Sequence, residues 1–376
     1  MTNLVLYRKY RPQTFSEVVG QEHVVKTLTN ALASGIISHA YLFSGQRGSG
    51  KTTIARLLAK ALNCSSRKES EFEPCNKCNS CLEIKENRSM DLIEIDAASH
   101  RGIDEMKELI EGIKFSPTKS KYKVFIIDES HQLTKEAANA LLKTLEEPPS
   151  HAVFILATTE IHKMIPTIVS RCQRFDFRKL THQEIIGRLE TLTKNEKVKV
   201  ERPALELIAL NAGGSIRDAE SLLGQVLSFG SGPDNKPGIS AEDVKVLLGL
   251  VETAQLGRFC DYLVKKDASS SVKFLNEIGE GGSDLQEFAR ALVNYLRHVL
   301  ILKITGPEIA SLIVAGLTKE EFEKMSSQAD ALKEDEIRKF LNLFLEAENK
   351  MKYSPIPQLP LELAIVEGLA LSDSKG

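Results

Sequence analysis

The sequence predicts an α/β fold, with a parallel sheet covered by helices in the first half of the chain and helices alone after it. Two observations carry this prediction. Short apolar segments alternate with longer amphipathic segments up to Phe177, and beyond Phe177 only the amphipathic segments continue. Helical crossovers between parallel strands produce the first pattern. The chain has 376 residues, more than one compact core usually holds, so we expect two or three domains.

Each predicted strand is a short run of apolar residues, which is typical of a strand buried on both faces. The predicted strands are Ala40–Phe43, Leu92–Asp96, Val124–Asp128 and Phe154–Thr158. The segments between them have apolar residues at helical spacing and predict the helices Thr52–Leu62, Ile103–Ile113 and Lys135–Leu145. In such a sheet, ligands bind at the carboxyl ends of the strands.

The second half of the chain predicts helices only. A small helical domain is expected from the three amphipathic segments Thr181–Lys194, Pro203–Asn211 and Ile216–Leu227. The segment Gly230–Gly238 is a loop by composition. Further helices follow from about Val244, with leucines at helical spacing in Arg338–Leu345 and Leu359–Leu371. The predicted domains are therefore 1–178, 179–243 and 244–370, with a tail at 371–376.

A phosphate-binding loop (P-loop) follows the first predicted strand. Residues 45–52 fit the pattern G-x-x-x-x-G-K-[ST], in which backbone N–H groups surround phosphates at a helix N-terminus. We expect Lys51 to reach the β- and γ-phosphates and the Thr52 hydroxyl to bind Mg²⁺. A chance glycine-rich turn is the alternative, and the flanking strand and helix argue against it. The predicted binding residues are Gly45, Gln46, Arg47, Gly48, Ser49, Gly50, Lys51, Thr52 and Thr53.

Two adjacent carboxylates, Asp128 and Glu129, end the third predicted strand. Beside a P-loop, Asp128 is expected to hold Mg²⁺ through its water shell, and Glu129 is the candidate base that polarises an attacking water. The alternative is a strand end with solvated acids. Phosphoryl transfer also needs positive charge or a hydrogen-bond donor near the γ-phosphate, and Arg171, Arg217 and Thr158 are candidates. An isolated arginine is more often an ordinary surface residue.

Four of the six cysteines cluster as C-x10-C-x2-C-x2-C, namely Cys64, Cys75, Cys78 and Cys81. Four thiolates suit a tetrahedral Zn²⁺ in a closed structural site. An iron–sulfur cluster is the alternative, but the C-x3-C-P end of the bacterial ferredoxin run is missing. Cys172 and Cys260 are isolated and are expected to be small buried residues.

Composition and charge describe an ordinary soluble protein. Apolar residues make up 42% and charged residues 27% of the chain, and the net charge is −2. No apolar run is long enough to cross a membrane, and the N-terminus has no export signal, so we expect a cytoplasmic protein without a membrane partner. No global basic field indicates nucleic-acid binding, so any DNA contact must come from a local patch.

The ordered motifs resemble those of bacterial sliding-clamp loader ATPases, the DNA polymerase III gamma/tau family of AAA+ proteins. The similarity covers nearly all of residues 1–370. The matching strings beyond the P-loop and the cysteine spacing are Tyr10-Arg11-Pro12, Val18–Gln21, Asp128–His131, Leu141–Pro149, Ala157–Thr159, Ser170–Cys172 and Gly214–Asp218. The resemblance implies an AAA+ ATPase domain with an inserted zinc module at about 64–81, a three-helix lid domain, and a helical collar that joins subunits.

The resemblance also implies roles for single residues. Arg11, Pro12 and Val19 would flank the adenine and ribose of ATP, with Val18 a weaker candidate. Thr158 would be sensor 1 and Arg217 sensor 2, and Arg171 would be an arginine finger acting on ATP held by the neighbouring subunit. In related loaders the segment after the Leu92–Asp96 strand contacts the DNA backbone. Here Arg101 is the candidate contact, and an ordinary surface arginine is the alternative because Gly102 replaces the basic residue of some relatives.

The implied function is ATP-driven loading of the sliding clamp onto primed DNA. The chain would act as part of DNA polymerase III, in which another subunit carries out the polymerisation of DNA. The implied partners are the delta and delta-prime subunits, other copies of the chain, the clamp and primer-template DNA. A DExH-type helicase is one alternative, suggested by Asp128–His131, but residues 244–376 lack the strand–helix alternation of a second motor domain. A non-hydrolysing nucleotide-binding scaffold is the other, and the intact Lys51 and Glu129 argue against it.

Overall fold

The computed structural model describes residues 5–68, 70–99, 109–230, 238–248, 253–281, 284–313 and 318–370. The chain divides into two compact units, Met1–Val244 and Lys245–Gly376. The finer division at residues 178 and 179 stays a prediction. Among the described residues, no helix is long and apolar enough to cross a membrane.

A parallel sheet forms the centre of the first unit, as predicted, and it has one strand more than the four that the sequence indicates. The strands lie in the order β2-β3-β4-β1-β5. Their bounds are β1 Ala40–Gly45, β2 Leu92–Asp96, β3 Lys123–Asp128, β4 Ala152–Thr158 and β5 Gln173–Phe177. The strands β1, β4 and β3 are parallel neighbours, with β4 in the middle. The P-loop, the end of β4 and Asp128 therefore lie next to one another at the carboxyl ends of the strands.

Both faces of the sheet are covered, because successive strand residues point to opposite sides. Val124 and Ile126 of β3 belong to one apolar cluster, whereas Phe125 and Ile127 belong to the cluster on the other face. The two clusters explain why these strands read as unbroken apolar runs rather than as alternating patterns. The prediction of a parallel sheet buried on both faces is confirmed.

The strand β5 was not predicted from the sequence. It lies at the edge of the sheet and pairs only with β1 among the described strands. Only Phe175 and Phe177 of its five residues are buried, and the other three are exposed. Such a short alternation of two apolar residues is too weak to distinguish a strand from a loop.

The helices before residue 249 include every helix predicted for residues 1–243 that the structure describes, and the last of them extends past Val244. Their bounds are α1 Leu6–Lys9, α2 Glu22–Ser34, α3 Lys51–Leu62, α4 Asn79–Lys85, α5 Lys135–Glu146, α6 Pro166–Val169, α7 His182–Glu196, α8 Arg202–Asn211, α9 Ile216–Gly230 and α10 Ala241–Leu248. Of the predicted helix Ile103–Ile113, residues 109–113 are helical and the rest lies outside the described residues. Residues 231–237 of the predicted loop also lie outside them.

The described part of the second unit is helical, as predicted. Its helices are α11 Thr253–Val264, α12 Ala268–Glu280, α13 Leu285–Ile313, α14 Lys319–Ala331, α15 Glu334–Met351 and α16 Leu359–Ala370. They pack around one apolar core that includes Phe259, Phe288 and Phe344. The helix α13 is broken at Gly306, whose φ of 75° is not helical and which precedes Pro307. The predicted tail, 371–376, lies outside the described residues.

Candidate functional site

The P-loop connects β1 to α3 and lines a pocket within the first unit. A close approach requires the glycine at position 48, because a Cβ on Gly48, which has a φ of +77°, would come 1.9 Å from Ser215 Oγ. The carbonyl of Gly48 accepts a hydrogen bond of 3.2 Å from the Ile216 amide, at the start of α9. The loop is therefore fastened directly to the helix that carries Arg217.

Lys51 lies at the first position of α3 and is almost fully buried. Its ammonium donates hydrogen bonds to the carbonyls of Gly45 at 2.7 Å and Gln46 at 3.0 Å. Burial lowers the pKa of Lys51, and the carboxylates of Glu129 and Asp128 oppose that shift. A buried ammonium beside a loop of backbone amides can bind an anion as highly charged as a triphosphate.

The carboxylate of Asp128 meets the P-loop at Thr52. The Thr52 hydroxyl donates a hydrogen bond of 2.7 Å to Asp128 Oδ2. This pair of hard oxygen ligands at one point fits Mg²⁺, which binds through one or two carboxylates and the substrate phosphates. The residues present therefore fit the predicted magnesium ion.

Glu129 follows the end of β3 and has a φ of 46°, in the left-handed region. Its carboxylate lines the same pocket as Asp128. The Thr159 hydroxyl donates a hydrogen bond of 2.8 Å to Glu129 Oε2. Residues other than glycine with a strained left-handed backbone are found mostly at functional sites. A carboxylate that a neighbouring hydroxyl orients can accept a proton from a water in the pocket.

Thr158 is fully buried at the end of β4 and does not itself line the pocket. Its hydroxyl oxygen accepts a hydrogen bond of 3.0 Å from the Glu160 amide and lies 3.0 Å from His131 Nδ1. His131 Nδ1 in turn lies 3.5 Å from Glu129 Oε2. The structure thus connects Thr158 to Glu129 through His131, while its role as a sensor stays a prediction.

The pocket brings together most of the predicted binding residues. Its lining includes Arg47–Thr53, Asp128, Glu129, Arg11, Pro12, Val18, Val19 and Arg217. Gly45 and Gln46 do not line it, and instead their carbonyls accept the hydrogen bonds of Lys51. The guanidinium carbon of Arg217 lies 4.9 Å from the centroid of the Tyr7 ring. A hydrogen bond from Arg217 lowers the pKa of Tyr7.

Sequence reasoning missed Tyr7, Glu17 and an ion pair in the pocket wall. Arg188 Nε on α7 donates to Glu220 Oε1 on α9 at 2.8 Å, and both side chains are largely buried. Burial raises the pKa of Glu220, and Arg188 opposes the shift. Arg188 also donates to the carbonyl of Tyr10, next to Arg11. No sequence signal identifies such a pair, because each residue is a single charge on an amphipathic helix.

Arg171 lies outside this pocket, unlike Arg217. Its guanidinium donates to Glu146 Oε1 at 2.5 Å and to the carbonyl of Thr167 at 2.8 Å. Both members of the Arg171–Glu146 pair are partly exposed, so the pair is weak. The candidate DNA contact, Arg101, and its neighbour Gly102 lie outside the described residues.

The four clustered cysteines converge on one point. The sulfur atoms of Cys64, Cys75, Cys78 and Cys81 all lie within 4.8 Å of one another. The Cys75–Cys81 and Cys64–Cys78 separations are 3.9 and 4.0 Å. A tetrahedron with Zn–S bonds of about 2.3 Å has sulfur–sulfur edges of about 3.8 Å. The amides of Lys77 and Cys78 donate to Cys75 Sγ, as expected around a thiolate ligand.

Replacing Cys78 with serine is expected to remove the metal. The predicted metal content falls from about one zinc ion per chain to none, because three thiolates no longer close the tetrahedral site. Mass spectrometry under native conditions measures this content. Cys172→Ser is the control, since Cys172 lies apart from the cluster and burial alone raises its pKa to about 12. Metal retained at full occupancy in Cys78→Ser would contradict the four-thiolate site.

Three family models match the chain in succession. The model of the DNA polymerase III delta subunit matches residues 20–181. The model of the DNA polymerase III clamp loader subunit ATPase lid domain matches residues 184–232. The model of domain III of the DNA polymerase III subunits gamma and tau matches residues 239–375.

Proteins with similar sequences are gamma and tau subunits of DNA polymerase III. The chain is 43% identical over 367 residues to DNA polymerase III subunit tau of Bacillus subtilis, covering 98% of this chain and 63% of the relative. It is 36% identical to subunit tau of Escherichia coli, covering 98% of this chain and 56% of the relative. It is 36% identical to subunit gamma of Buchnera aphidicola, covering 97% of this chain and 98% of the relative. The chain thus spans about three fifths of the two tau proteins.

Proposed function

The chain belongs to the gamma and tau family of DNA polymerase III subunits, and on that premise we propose that it is the ATP-hydrolysing motor of a clamp loader. ATP binding by this motor would support loading of a sliding clamp onto primed DNA. The single observation that carries the proposal is the pocket, in which the P-loop, Asp128, Glu129 and Arg217 meet.

Within the pocket, the proposed chemistry is hydrolysis of the γ-phosphate. Backbone amides of the P-loop and the Lys51 ammonium bind the phosphates, and Thr52 with Asp128 holds Mg²⁺. Mg²⁺, when bound, supplies positive charge to the β- and γ-phosphate oxygens. Glu129, which the Thr159 hydroxyl orients, accepts the proton of the attacking water. Arg11, Pro12, Val18 and Val19 flank the base and ribose.

Two residues are proposed to respond to the γ-phosphate. Arg217 acts as sensor 2, because α9 holds it in the pocket and the Ile216 amide fastens α9 to the P-loop. Thr158 acts as sensor 1 by ordering His131 beside Glu129. Residues 1–178 would be the ATPase domain, 179–243 the lid, and 244–370 the collar.

We further propose that the catalytic site is completed by a second subunit. Arg171 lies outside the pocket of its own chain, which supports a role as an arginine finger in trans. A stripe on α16 supports association, because Leu359, Leu363 and Val366 are exposed at helical spacing. Other copies of the chain and the delta and delta-prime subunits are the proposed partners in the ring.

The remaining assignments are proposals that family membership supports. Zn²⁺ is the proposed ion of the four-cysteine cluster, where it would be structural. The sliding clamp and the backbone of primer-template DNA are the proposed substrates of the assembled loader, and the cytoplasm is the proposed compartment. A DExH-type helicase is disfavoured, because the described residues of the second unit form helices and no strands.

One assay tests the proposed function against its alternatives. ATP turnover is measured for the chain alone, then with delta and delta-prime, and then with clamp and primed DNA added. We expect slow turnover by the isolated chain and strong stimulation by the complete mixture. ATP binding, strand separation and clamp loading are followed in the same mixtures. Strand separation without clamp loading would indicate a helicase, and binding of ATP without turnover in any mixture would indicate a scaffold.

A further inference from the structure

The segment Gln13–Val19, here called the strap, forms one wall of the nucleotide pocket. Its residues Glu17, Val18 and Val19 line the pocket directly. The strap contains a short 3-10 helix, Phe15–Glu17, whose preceding residue Thr14 does not cap it with its side chain. Phe15 anchors the strap in the apolar core and is 1% exposed. The N-terminal amides of this helix therefore need acceptors from elsewhere.

Glu73, which lies between Cys64 and Cys75 in the chain, provides those acceptors. Glu73 Oε2 accepts a hydrogen bond of 2.8 Å from the Phe15 amide, and Glu73 Oε1 accepts one of 2.9 Å from the Ser16 amide. A carboxylate bound by two backbone N–H groups forms charge-assisted hydrogen bonds, which are among the stronger ones in proteins. One side chain thus holds the strap at Phe15 and Ser16 from a segment distant in sequence.

Glu73 lies next to the cysteine cluster in the chain. Glu73 lies two residues before Cys75, whose amide donates to Cys64 Sγ at 3.3 Å. The described residues of the loop before it are largely polar. Their hydrogen bonds include one from Arg67 Nε to the carbonyl of Ala61 at 2.8 Å and one from the Glu71 amide to the carbonyl of Lys68 at 3.0 Å. A metal ion that joins Cys64 to Cys75 would therefore close this loop and hold Glu73 in place.

The start of the strap is also fixed, by a contact with α3. Gln13 Oε1, at the start of the strap, accepts a hydrogen bond of 2.7 Å from the buried ammonium of Lys60 on α3. The Gln13 amide donates to Glu17 Oε2 at 2.7 Å. The P-loop helix α3 therefore holds the strap at Gln13, while Glu73 holds it at Phe15 and Ser16.

We propose that the metal-bound cysteine cluster positions the strap through Glu73, and thereby shapes the wall of the nucleotide pocket. Glu73 is a positioning residue in this proposal, because it contacts the strap and does not itself line the pocket. The inference rests on the proposed nucleotide binding, and it gives the zinc module a role in that binding. By linkage, metal at the cluster and nucleotide in the pocket strengthen each other's binding.

Glu73→Ala tests the proposal without touching a metal ligand. We expect nucleotide affinity to fall about fivefold, at the lower end of typical couplings between sites. Metal content stays at the wild-type level, and the amides of Phe15 and Ser16 exchange hydrogen faster. Titration with a fluorescent ATP analogue, native mass spectrometry and hydrogen exchange measure the three effects. The control is Glu71→Ala, since Glu71 is an exposed carboxylate of the same loop.

A double-mutant cycle with Cys78→Ser completes the test. If metal acts through Glu73, the double variant binds nucleotide no more weakly than Cys78→Ser alone. Wild-type affinity in Glu73→Ala, or additive losses in the double variant, would overturn the proposal. If the wild-type chain bound no nucleotide, the proposed function would fail, and the exchange of the Phe15 and Ser16 amides in Cys78→Ser would still decide whether the cluster positions the strap.

Discussion

Lys51→Ala is expected to abolish tight ATP binding. The Lys51 ammonium is buried at the start of α3, where it can exchange its two carbonyl contacts for phosphate oxygens. Each charge-assisted hydrogen bond contributes about 1.5–3 kcal/mol, so the loss of two weakens affinity by roughly a hundredfold or more. Isothermal titration with ATP and Mg²⁺ measures the effect.

Two companion variants separate loss of charge from loss of packing. Lys51→Met fills the same volume without the ammonium, so it is expected to bind ATP as poorly as Lys51→Ala while keeping the wild-type thermal midpoint. Lys26→Ala removes an exposed lysine from α2 and is expected to bind ATP normally. Unchanged affinity in both Lys51 variants would refute the assignment of the P-loop.

The residues that the sequence alone predicted are those that depend on local patterns. The P-loop glycines, Lys51 and Thr52 are contiguous, and Asp128 and Glu129 directly follow an unbroken apolar strand. Because parallel strands end at the same edge of a sheet, predicting the strands was enough to predict that these residues meet. The four cysteines were predictable for a similar reason, since their spacing itself indicates a shared ligand.

What the sequence could not indicate depends on packing between distant segments. The ion pair of Arg188 and Glu220 joins two helices of the predicted lid, and Glu73 contacts amides that lie 57 and 58 positions earlier in the chain. A single charged residue on a helix or loop has no pattern that reveals its partner. The strand β5 escaped prediction because an edge strand with two buried residues leaves almost no periodicity.

Arg171→Ala is expected to leave ATP binding by the isolated chain intact and to slow hydrolysis in the assembled loader. Within its own chain Arg171 contacts Glu146 and Thr167 and does not line the pocket. Its removal therefore leaves the affinity of that pocket for ATP unchanged. In the assembly it would supply positive charge to the transition state on the neighbouring subunit, which is typically worth a factor of about 10³ to 10⁵ in rate. Single-turnover hydrolysis by the reconstituted complex measures the loss.

Mixing two inactive variants decides whether Arg171 acts in trans. A subunit with Arg171→Ala keeps its own P-loop, and a subunit with Lys51→Ala keeps its Arg171. Where the two meet in a ring, the P-loop of the first and Arg171 of the second together form one complete site. Turnover should therefore reappear on mixing, whereas a role within the same chain predicts none. Arg174→Ala is the matched control, because Arg174 is an exposed arginine on β5, paired with Asp176, and its loss should leave turnover unchanged. Failure of complementation in rings of demonstrated mixed composition would show that the two halves of the site do not come from different subunits.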